Sequence, residues 1–412
     1  MRVAHPRCAG IDIHKKSMTV CIFADGGDGS QPAYHKRKFD THSQGVEELQ
    51  TWMQQHRVSE VGMEATGVYW KPVWNALEGK YGLHLCNPEH IRAIPGAKTD
   101  LRDGTRIADL LAYGKLPESF IPPLWQRELR DLTRMRTRFK EEVASAANRI
   151  GKVLEDAQIK LGSVATDILG KSGRLILNAL IKGETDETVL SEMAKGLLKR
   201  KKAELRKVLR GGIRDHHRFE LRLLLEHIGE LEEKIFQLNC RIWQQLEPYE
   251  DIVQRLDAIP GVDRAGAAVI LAEIGPRVDA WEDARKLACW ACLCPGNKIS
   301  AGQRLSGRMR RGNRWLRSAF CQMAWAATRK KGSYFKTQFR RIAGRRGKQR
   351  AVMAVAHTLL VIVYHLLRDP GLHYRELGED YFDHRDAQHA AASLVKRLNK
   401  LGYEVTIKPK AA

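Results

Sequence analysis

Cysteines and long apolar runs are scarce in this chain. Its 412 residues include only eight cysteines, which are scattered from Cys8 to Cys321 and are too few for a disulfide scaffold. The longest apolar run, from Ala351 to Leu367, contains two histidines and is short for a membrane span, so it predicts a buried helix. No signal-peptide pattern opens the sequence. We therefore expect a cytoplasmic protein with no membrane partner.

Acidic residues are also in short supply. The chain has 48 Asp and Glu residues against 70 Lys and Arg residues, which gives a net charge of +22 at pH 7. Such an excess of positive charge favours a polyanionic partner, and nucleic acid is the first candidate. With 43% hydrophobic residues the chain can still bury sizeable cores, and its length predicts two or three domains.

Residues 1–122 alternate strand and helix signals. Strand-forming residues are concentrated in three runs, RCAGIDI, SMTVCIFADGG and AYHKRKFDT, and a helical pattern follows them. The chain then continues with a short strand in SEVGMEATG, a helix that extends to Leu77 and a strand in GLHLCNPEHI. This order of elements is typical of a ribonuclease-H-like (RuvC-like) α/β domain, which has a mixed sheet.

Residues 123–250 are predicted to be helical, because no proline occurs between Pro123 and Pro248. Apolar residues recur there at alternating spacings of three and four, which predicts a coiled coil and an oligomerisation region. They are Leu221, Leu224, Ile228, Leu231, Ile235, Leu238 and Ile242.

A basic amphipathic helix is predicted upstream of this segment, and it either contacts nucleic acid or has a solvated face. Its clustered cations are Lys199, Arg200, Lys201 and Lys202.

Residues 251–370 are predicted to form a further helical domain, followed by a tail over residues 371–412. The domain opens with a turn at Pro260-Gly261 between two helical runs, which has the shape of a helix-hairpin-helix. In such hairpins, amides at the start of the second helix hold a backbone phosphate. Asp263 stands where these hairpins often carry glycine.

Four acidic residues of the first domain are candidate metal ligands. Asp12 lies between two isoleucines of the first strand, so alternation turns its side chain away from the face that they bury. Glu64 is an isolated charge at the end of the fourth strand, which is costly unless it is paired or bound to metal. Asp100 and Asp103 share one face if they open a helix. If they converge, these carboxylates would hold one or two Mg²⁺ ions, for which Mn²⁺ can substitute.

A small hydroxyl lies within a dense run of arginines in GQRLSGRMRRGNRWLRSAF, from Gly302 to Phe320. Ser306 is either a nucleophile that attacks a phosphate or one hydrogen-bond donor in a basic turn. Ser300 and Ser318 are its rivals for the first role. The arginines are candidate phosphate ligands that would offset the charge of a phosphorane. They are Arg304, Arg308, Arg310, Arg311, Arg314 and Arg317.

The motifs GIDIHKK, EATGVYW, NPEHIRAIPGAKTDLRDGTRIADLLA, IPGV and WACLCPGNKISAGQRLSGRMRRGNRWLRSAF occur in this order. In that order they resemble the DEDD-type insertion-sequence transposases with a RuvC-like N-terminal domain, which are bridge-RNA-guided serine recombinases. The resemblance covers about residues 8–368. It implies that Asp12, Glu64, Asp100 and Asp103 bind metal, and that Ser306 attacks DNA and becomes covalently linked to it.

The resemblance also implies partners. It implies donor and target DNA, a structured guide RNA from the same element, and a homo-oligomer, dimer or tetramer, in which different subunits supply the metal site and the serine. The expected location is the bacterial nucleoid in the cytoplasm. Residues 251–370 would then be the transposase domain that carries the nucleophilic serine.

Two alternatives stay open at the level of the sequence. A RuvC-like endonuclease would use the same acids with water as the nucleophile, and Ser306 would only hold a phosphate. A non-catalytic nucleic-acid-binding scaffold would use the carboxylates only as helix caps and ion-pair partners. The recombinase alone predicts a covalent protein–DNA adduct that depends on Ser306.

Overall fold

A computed structural model provides the fold. It describes residues 2–27, 30–65, 67–88, 103–294, 298–300, 303–306 and 312–406. For residues 103, 298–300, 304–306 and 389 it describes the backbone and not the side chain. The chain divides into two compact units, Met1–Pro122 and Pro123–Ala412.

The first unit is built on a mixed five-stranded sheet with the strand order β3-β2-β1-β4-β5. The strands are β1 (Arg7–Ile13), β2 (Ser17–Ala24), β3 (Ala33–Asp40), β4 (Glu60–Glu64) and β5 (Gly82–Cys86). The first three are antiparallel neighbours, whereas β4 and β5 run parallel to β1. Helix α1 (Ser43–Gln55) follows β3 and helix α2 (Trp70–Leu77) follows β4. The predicted element order is therefore confirmed, and it is consistent with a RuvC-like domain.

Each face of this sheet buries a different set of side chains. Ile11 and Ile13 of β1 pack with Leu49 of α1 and Trp74 of α2 in one apolar cluster. The opposite face is covered by helix α3 (Asp103–Ala112), whose apolar residues form a second cluster with side chains of β1, β2 and β5. Both faces of the central strand β1 are therefore covered by helices.

Glycine at position 10 lets α3 approach β1 closely. A Cβ atom added to Gly10 would lie 2.2 Å from the carbonyl oxygen of Gly104 and 2.4 Å from the amide nitrogen of Ala108. Both neighbours are backbone atoms of α3 and cannot rotate away. We expect Gly10→Ala to destabilise the first unit by about 1–3 kcal/mol, the usual cost of overpacking. Urea denaturation followed by circular dichroism measures this loss.

Gly151 offers the matched control, because it lies inside a helix and a Cβ added there meets nothing within 4 Å. Gly151→Ala is expected to stabilise the protein by about 0.5–1 kcal/mol, since alanine is the better helix former. An unchanged urea midpoint for Gly10→Ala would contradict the close packing of α3 on β1.

Helices dominate the second unit. They are α4 (Leu124–Asp156), α5 (Leu161–Val164), α6 (Lys171–Ile181), α7 (Glu187–Glu192), α8 (Lys202–Leu209), α9 (Asp215–Leu246), α10 (Glu250–Asp257), α11 (Arg264–Glu273), α12 (Ala284–Trp290), α13 (Arg314–Ala327), α14 (Tyr334–Arg346), α15 (Lys348–Arg368), α16 (Tyr381–Arg385) and α17 (Ala387–Lys400). A hairpin of β6 (Lys298–Ser300) and β7 (Gln303–Ser306) precedes α13.

The heptad-patterned segment forms the long helix α9, which runs antiparallel to α4 of the same chain. Arg136 of α4 donates from Nε to Asn239 Oδ1 at 2.6 Å near one end of the pair. At the other end, His217 Nε2 lies 2.7 Å from Asp156 Oδ2. Leu221 and other heptad residues of α9 are buried in the apolar cluster that includes α4. Pairing of α9 with a second copy of the chain stays a prediction.

The prediction of a basic α-helix before α9 is only partly correct. Gly196–Lys201 forms a 3₁₀ helix, and the α-helix begins at Lys202. Lys199, Arg200 and Lys201 are exposed, whereas Lys202 pairs with Glu192. The four cations therefore do not share a single α-helical face.

The apolar run from Ala351 to Leu367 lies within helix α15. The helix is long and apolar enough to cross a membrane by length and composition, but 56% of that stretch is buried inside the structure. Val355, Leu359 and Val363 are fully buried. This pattern is that of a core helix, as the sequence predicted.

Candidate active site

Asp12 and Glu64 lie side by side at the ends of neighbouring parallel strands. The register pairs Ile11 of β1 with Met63 of β4, and each acid is the next residue of its strand. Gly10 and Gly62, two residues earlier, both face α3, since a Cβ added to Gly62 would lie 2.9 Å from Ile107 Cγ2. Because side chains alternate along a strand, both acids lie on the α3 face of the sheet.

Asp12 is only 7% exposed, so its carboxylate is held away from bulk water. His14 Nε2 lies 3.2 Å from Asp12 Oδ2 and is itself well exposed. A buried carboxylate is stabilised by nearby hydrogen-bond donors or positive charge, and the His14 ring is one such neighbour. The prediction that Asp12 faces away from the isoleucines is met by this placement beneath α3.

Cys86 is the neighbour of Glu64 on the adjacent strand. Glu64 is half-buried and pairs in register with Cys86 of β5. Burial, with the charge of Glu64 as a smaller cause, raises the pKa of Cys86 to about 12. The Cys86 thiol donates to the Met63 carbonyl oxygen at 3.2 Å, so it already has a structural partner. The carboxylate oxygens of Asp12 and Glu64 are ligands of the kind that Mg²⁺ and Mn²⁺ prefer.

The third acid starts the helix that covers this face. Asp103 is the first residue of α3, and the next residue, Gly104, lies against β1 and β2. A Cβ added to Gly104 would lie 3.1 Å from the Thr19 carbonyl oxygen, and Thr19 pairs with Asp12 in the sheet. The start of α3 is thus beside the strand position of Asp12.

The structure describes part of the predicted four-acid set. Asp100 lies outside the described residues, and only the backbone of Asp103 is described. Among the side chains that the structure does describe, no group of three or more His, Cys, Asp or Glu residues could hold a metal ion. Asp12 and Glu64 offer, on one face, the carboxylate oxygens that a hard divalent cation prefers, and metal binding by the four acids stays a prediction.

Ser306 is the last residue of β7 and lies opposite Lys298 of β6 in the hairpin. The backbone of Arg304 is described, whereas Arg308, Arg310 and Arg311 lie outside the described residues. The two other predicted phosphate ligands, Arg314 and Arg317, lie in the first turn of α13. Ser306 and the acids therefore belong to different units of the chain.

Arg314 belongs to a cluster of arginines around one indole ring. Its guanidinium carbon lies 4.6 Å from the centre of the Trp315 ring, and that of Arg138 lies 5.5 Å from it. A cavity of about 450 Å³ borders this cluster and is lined by Arg136, Lys140, Ser318 and other residues of α4, α11 and α13. Trp315 is half-buried, and arginine beside an aromatic ring is a combination suited to nucleic-acid contact.

The predicted hairpin turn lies between α10 and α11. Gly261 has φ +87°, and a Cβ added there would lie 2.3 Å from the Met323 carbonyl oxygen of α13. Asp263 caps α11 by accepting a hydrogen bond from the Gly266 amide at 2.7 Å. That amide is thus already satisfied, and phosphate binding by the hairpin stays a prediction.

Sequence reasoning missed a buried charge in the same region. Glu273, at the end of α11, is fully buried and contacts Arg134 and Asn313. An isolated acid in the apolar run AGAAVILAEIG was the available signal, because such a charge needs partners. The partners lie far away in the sequence and could not be predicted from it.

Comparison with known families assigns two parts of the chain to the same protein class. A DEDD transposase model for IS110 matches residues 9–159, and a model described as Transposase IS116/IS110/IS902 family matches residues 253–340. The chain is thus a transposase, a class of DNA-cutting enzymes that is expected to be soluble and cytoplasmic. Within this class it belongs to the IS110 family of insertion-sequence transposases. A search of curated proteins found no match.

Proposed function

We propose that this transposase cuts and exchanges DNA strands through a covalent phosphoserine intermediate formed on Ser306. Asp12, Glu64, Asp100 and Asp103 would hold one or two Mg²⁺ ions, and an element-encoded RNA would choose the donor and target DNA. The active form would be a homo-oligomer in which the acids and the serine come from different subunits. The RNA and the oligomer rest on the family resemblance.

One observation carries the metal-dependent part of the proposal. Asp12 and Glu64 lie on one face at the ends of adjacent strands, and the helix that begins at Asp103 covers that face. In a non-catalytic scaffold the carboxylates would serve only as helix caps and ion-pair partners. Those roles do not require two carboxylates side by side under a helix, where like charges repel each other. A divalent cation removes that repulsion, which supports catalysis over a passive scaffold.

In the proposed reaction the Ser306 hydroxyl oxygen attacks a DNA phosphorus atom. The new Oγ–P bond replaces the bond from phosphorus to the 3′ oxygen, which leaves and takes up a proton, while the Ser306 proton passes to solvent. Arginines of the serine segment and of α13 offset the charge on the phosphorane. Bound Mg²⁺ would supply Lewis-acid stabilisation of charged oxygens. The phosphoserine conserves the bond energy, so a second 3′ hydroxyl can reverse the step and reseal a strand.

The direct test is a search for the intermediate. The protein is incubated with donor DNA, target DNA, the candidate flanking RNA and Mg²⁺, denatured, and resolved on a gel. We expect a protein–DNA adduct that maps to Ser306 by mass spectrometry, and that is lost when EDTA is added or the RNA is omitted. DNA cleavage without an adduct would favour the endonuclease with water as its nucleophile. An adduct in EDTA would refute the metal requirement.

A further inference from the structure

Two cysteine sulfurs lie next to each other at the end of helix α12. The Cys294 thiol donates to Cys289 Sγ, and the two sulfur atoms are 3.1 Å apart. Both residues are free thiols. Sulfurs in a disulfide are about 2.0 Å apart, so this pair needs to approach by only about 1 Å, which small side-chain rotations provide. The contact therefore places two thiols within reach of a covalent link.

The turn that ends α12 brings the two thiols together. The Leu293 amide donates to the Ala288 carbonyl oxygen at 3.0 Å, and the Cys292 amide donates to the Cys289 carbonyl oxygen at 3.1 Å. These two bonds form the Schellman pattern, in which one residue takes the left-handed conformation. Here that residue is Cys292, with φ +53°. Because the chain reverses there, Cys294 returns to the last turn of the helix, where Cys289 lies.

The third cysteine of this turn has a different neighbour. Cys292 is 3% exposed, and a Cβ added to Gly312 would lie 2.3 Å from its Sγ, so this sulfur packs against the backbone at Gly312. Over the described side chains, these three cysteines included, no group of three or more His, Cys, Asp or Glu residues could hold a metal ion. The arrangement is thus a thiol pair beside a buried cysteine, and not a three-thiolate metal site.

The two paired thiols differ in exposure. Cys289 is exposed, whereas Cys294 is half-buried. Burial, with the hydrogen bond to Cys289 as a smaller cause, raises the pKa of Cys294 to about 11. Cys294 is therefore protonated at neutral pH and reacts slowly with an oxidant in solution. A dissolved oxidant reacts first with Cys289, and Cys294 then lies in place to attack the Cys289 sulfur.

We propose that Cys289 and Cys294 form a reversible disulfide by exchange with a low-molecular-weight disulfide. The Cys289 thiolate attacks one sulfur of that disulfide, which forms a mixed disulfide and releases one small thiol. The Cys294 thiolate then attacks Cys289 Sγ, which closes the internal S–S bond and releases the second small thiol. The two protein thiols lose two protons and two electrons, and the oxidant takes them up as it becomes two thiols. In a reducing compartment such a link is transient and follows the redox state.

A redox titration of the full chain provides the test. The reduced protein is equilibrated without air in graded ratios of oxidised to reduced glutathione, and the remaining thiols are blocked. Trypsin cleavage after Lys286 and Lys298 releases all three cysteines in one peptide, in which a blocked Cys292 identifies the linked pair. We expect a Cys289–Cys294 link whose yield rises with the ratio and which dithiothreitol removes. If no link forms at the highest ratio, or if Cys292 is linked instead, the proposal is overturned.

Cys294→Ser tests the order of the two steps. This variant lacks the thiol that resolves the mixed disulfide, so exchange stops after the first step. We expect at least about 10-fold more glutathione on Cys289 than in the unaltered protein, because an adjacent thiol reacts at a high effective concentration. Equal amounts of glutathione on Cys289 in the two proteins would contradict the role of Cys294.

Cys292→Ser is the matched control, because it removes the third thiol of the same turn. It is expected to form the Cys289–Cys294 link at the same glutathione ratio as the unaltered protein. Cys240, which is exposed on α9, serves as an internal reference for an accessible thiol outside the pair. Its glutathione level is expected to be equal in all variants. Loss of the link in Cys292→Ser, at an unchanged Cys240 level, means that the pair is wrongly assigned.

Zinc binding by the same cysteines is the competing outcome. The purified protein would then contain an equimolar amount of zinc, and the metal would protect the cysteines from glutathione. That result overturns the proposal, whereas a metal-free protein that forms the link supports it. The measurement uses no DNA, RNA or Mg²⁺, so it does not depend on the proposed reaction of Ser306. A failure of the phosphoserine mechanism leaves the disulfide result unchanged.

Discussion

Ser306→Ala is expected to reduce the covalent protein–DNA adduct to below detection. Alanine removes the only oxygen of that side chain, so no Oγ–P bond can form at position 306. DNA binding is expected to be nearly unchanged, since phosphate contacts are spread over many arginines and one hydroxyl adds little to them. The adduct is measured on denaturing gels with labelled DNA, and the Kd is measured by fluorescence anisotropy at fixed salt.

Ser318→Ala is the control for this prediction. Ser318 is the exposed serine of α13, belongs to the same arginine-rich segment of sequence, and is the rival nucleophile there. Its replacement is expected to leave the adduct in place. If Ser306→Ala abolishes the adduct but DNA is still cut, water acts as the nucleophile. Should Ser318→Ala remove the adduct instead, the assignment of Ser306 is wrong.

The sequence predicted most of the first unit because its signals are local. In β1, apolar and small residues at alternating positions are enough to place Ile11 and Ile13 on one face and Asp12 on the other. Turn residues and helical spacing then separate the remaining strands and helices. The observed order of five strands and two intervening helices agrees with that prediction.

The approach of α3 to the sheet could not be predicted in the same way. It depends on Gly10 and Gly104, which allow backbone atoms of a strand and a helix to come close. Each glycine alone is also compatible with an ordinary turn, and only the fold brings the two together. The sequence therefore predicted only that Asp12 is turned away from the isoleucines, and the structure adds that it lies beneath a helix with 7% exposure.

The cluster around Glu273 shows a second limit of sequence reasoning. Arg134 and Asn313 flank Glu273 in the structure but lie far from it on either side in the sequence. The pattern of α4 predicts a helix and says nothing about which arginine is paired internally. A lone acid in an apolar helix does indicate that partners exist, and this was the same reasoning that selected Glu64.

Asp12→Asn and Glu64→Gln are each expected to lower the rate of DNA cleavage by a factor on the order of 10² to 10³, the size of effect seen when one preorganised electrostatic group is lost. Each change keeps the side-chain volume but removes one negative charge from the shared α3 face. Weaker binding of divalent metal is the physical cause, so Mn²⁺ affinity measured by electron paramagnetic resonance should fall in both variants. Melting temperature is expected to hold or rise, because two like charges no longer face each other.

Asp109→Asn is the control that separates a metal-binding role from the general effect of removing one acidic side chain. Asp109 lies on the same helix as Asp103, but its Oδ1 accepts a hydrogen bond from the Tyr34 hydroxyl at 2.7 Å, so it already has a structural partner. This variant is expected to cleave DNA and bind Mn²⁺ as the unaltered protein does. If instead all three variants lose cleavage alike while Mn²⁺ affinity stays constant, Asp12 and Glu64 act through the fold. Two carboxylates at adjacent strand ends would then be a structural pair, and cutting would need its charge stabilisation from the arginines alone.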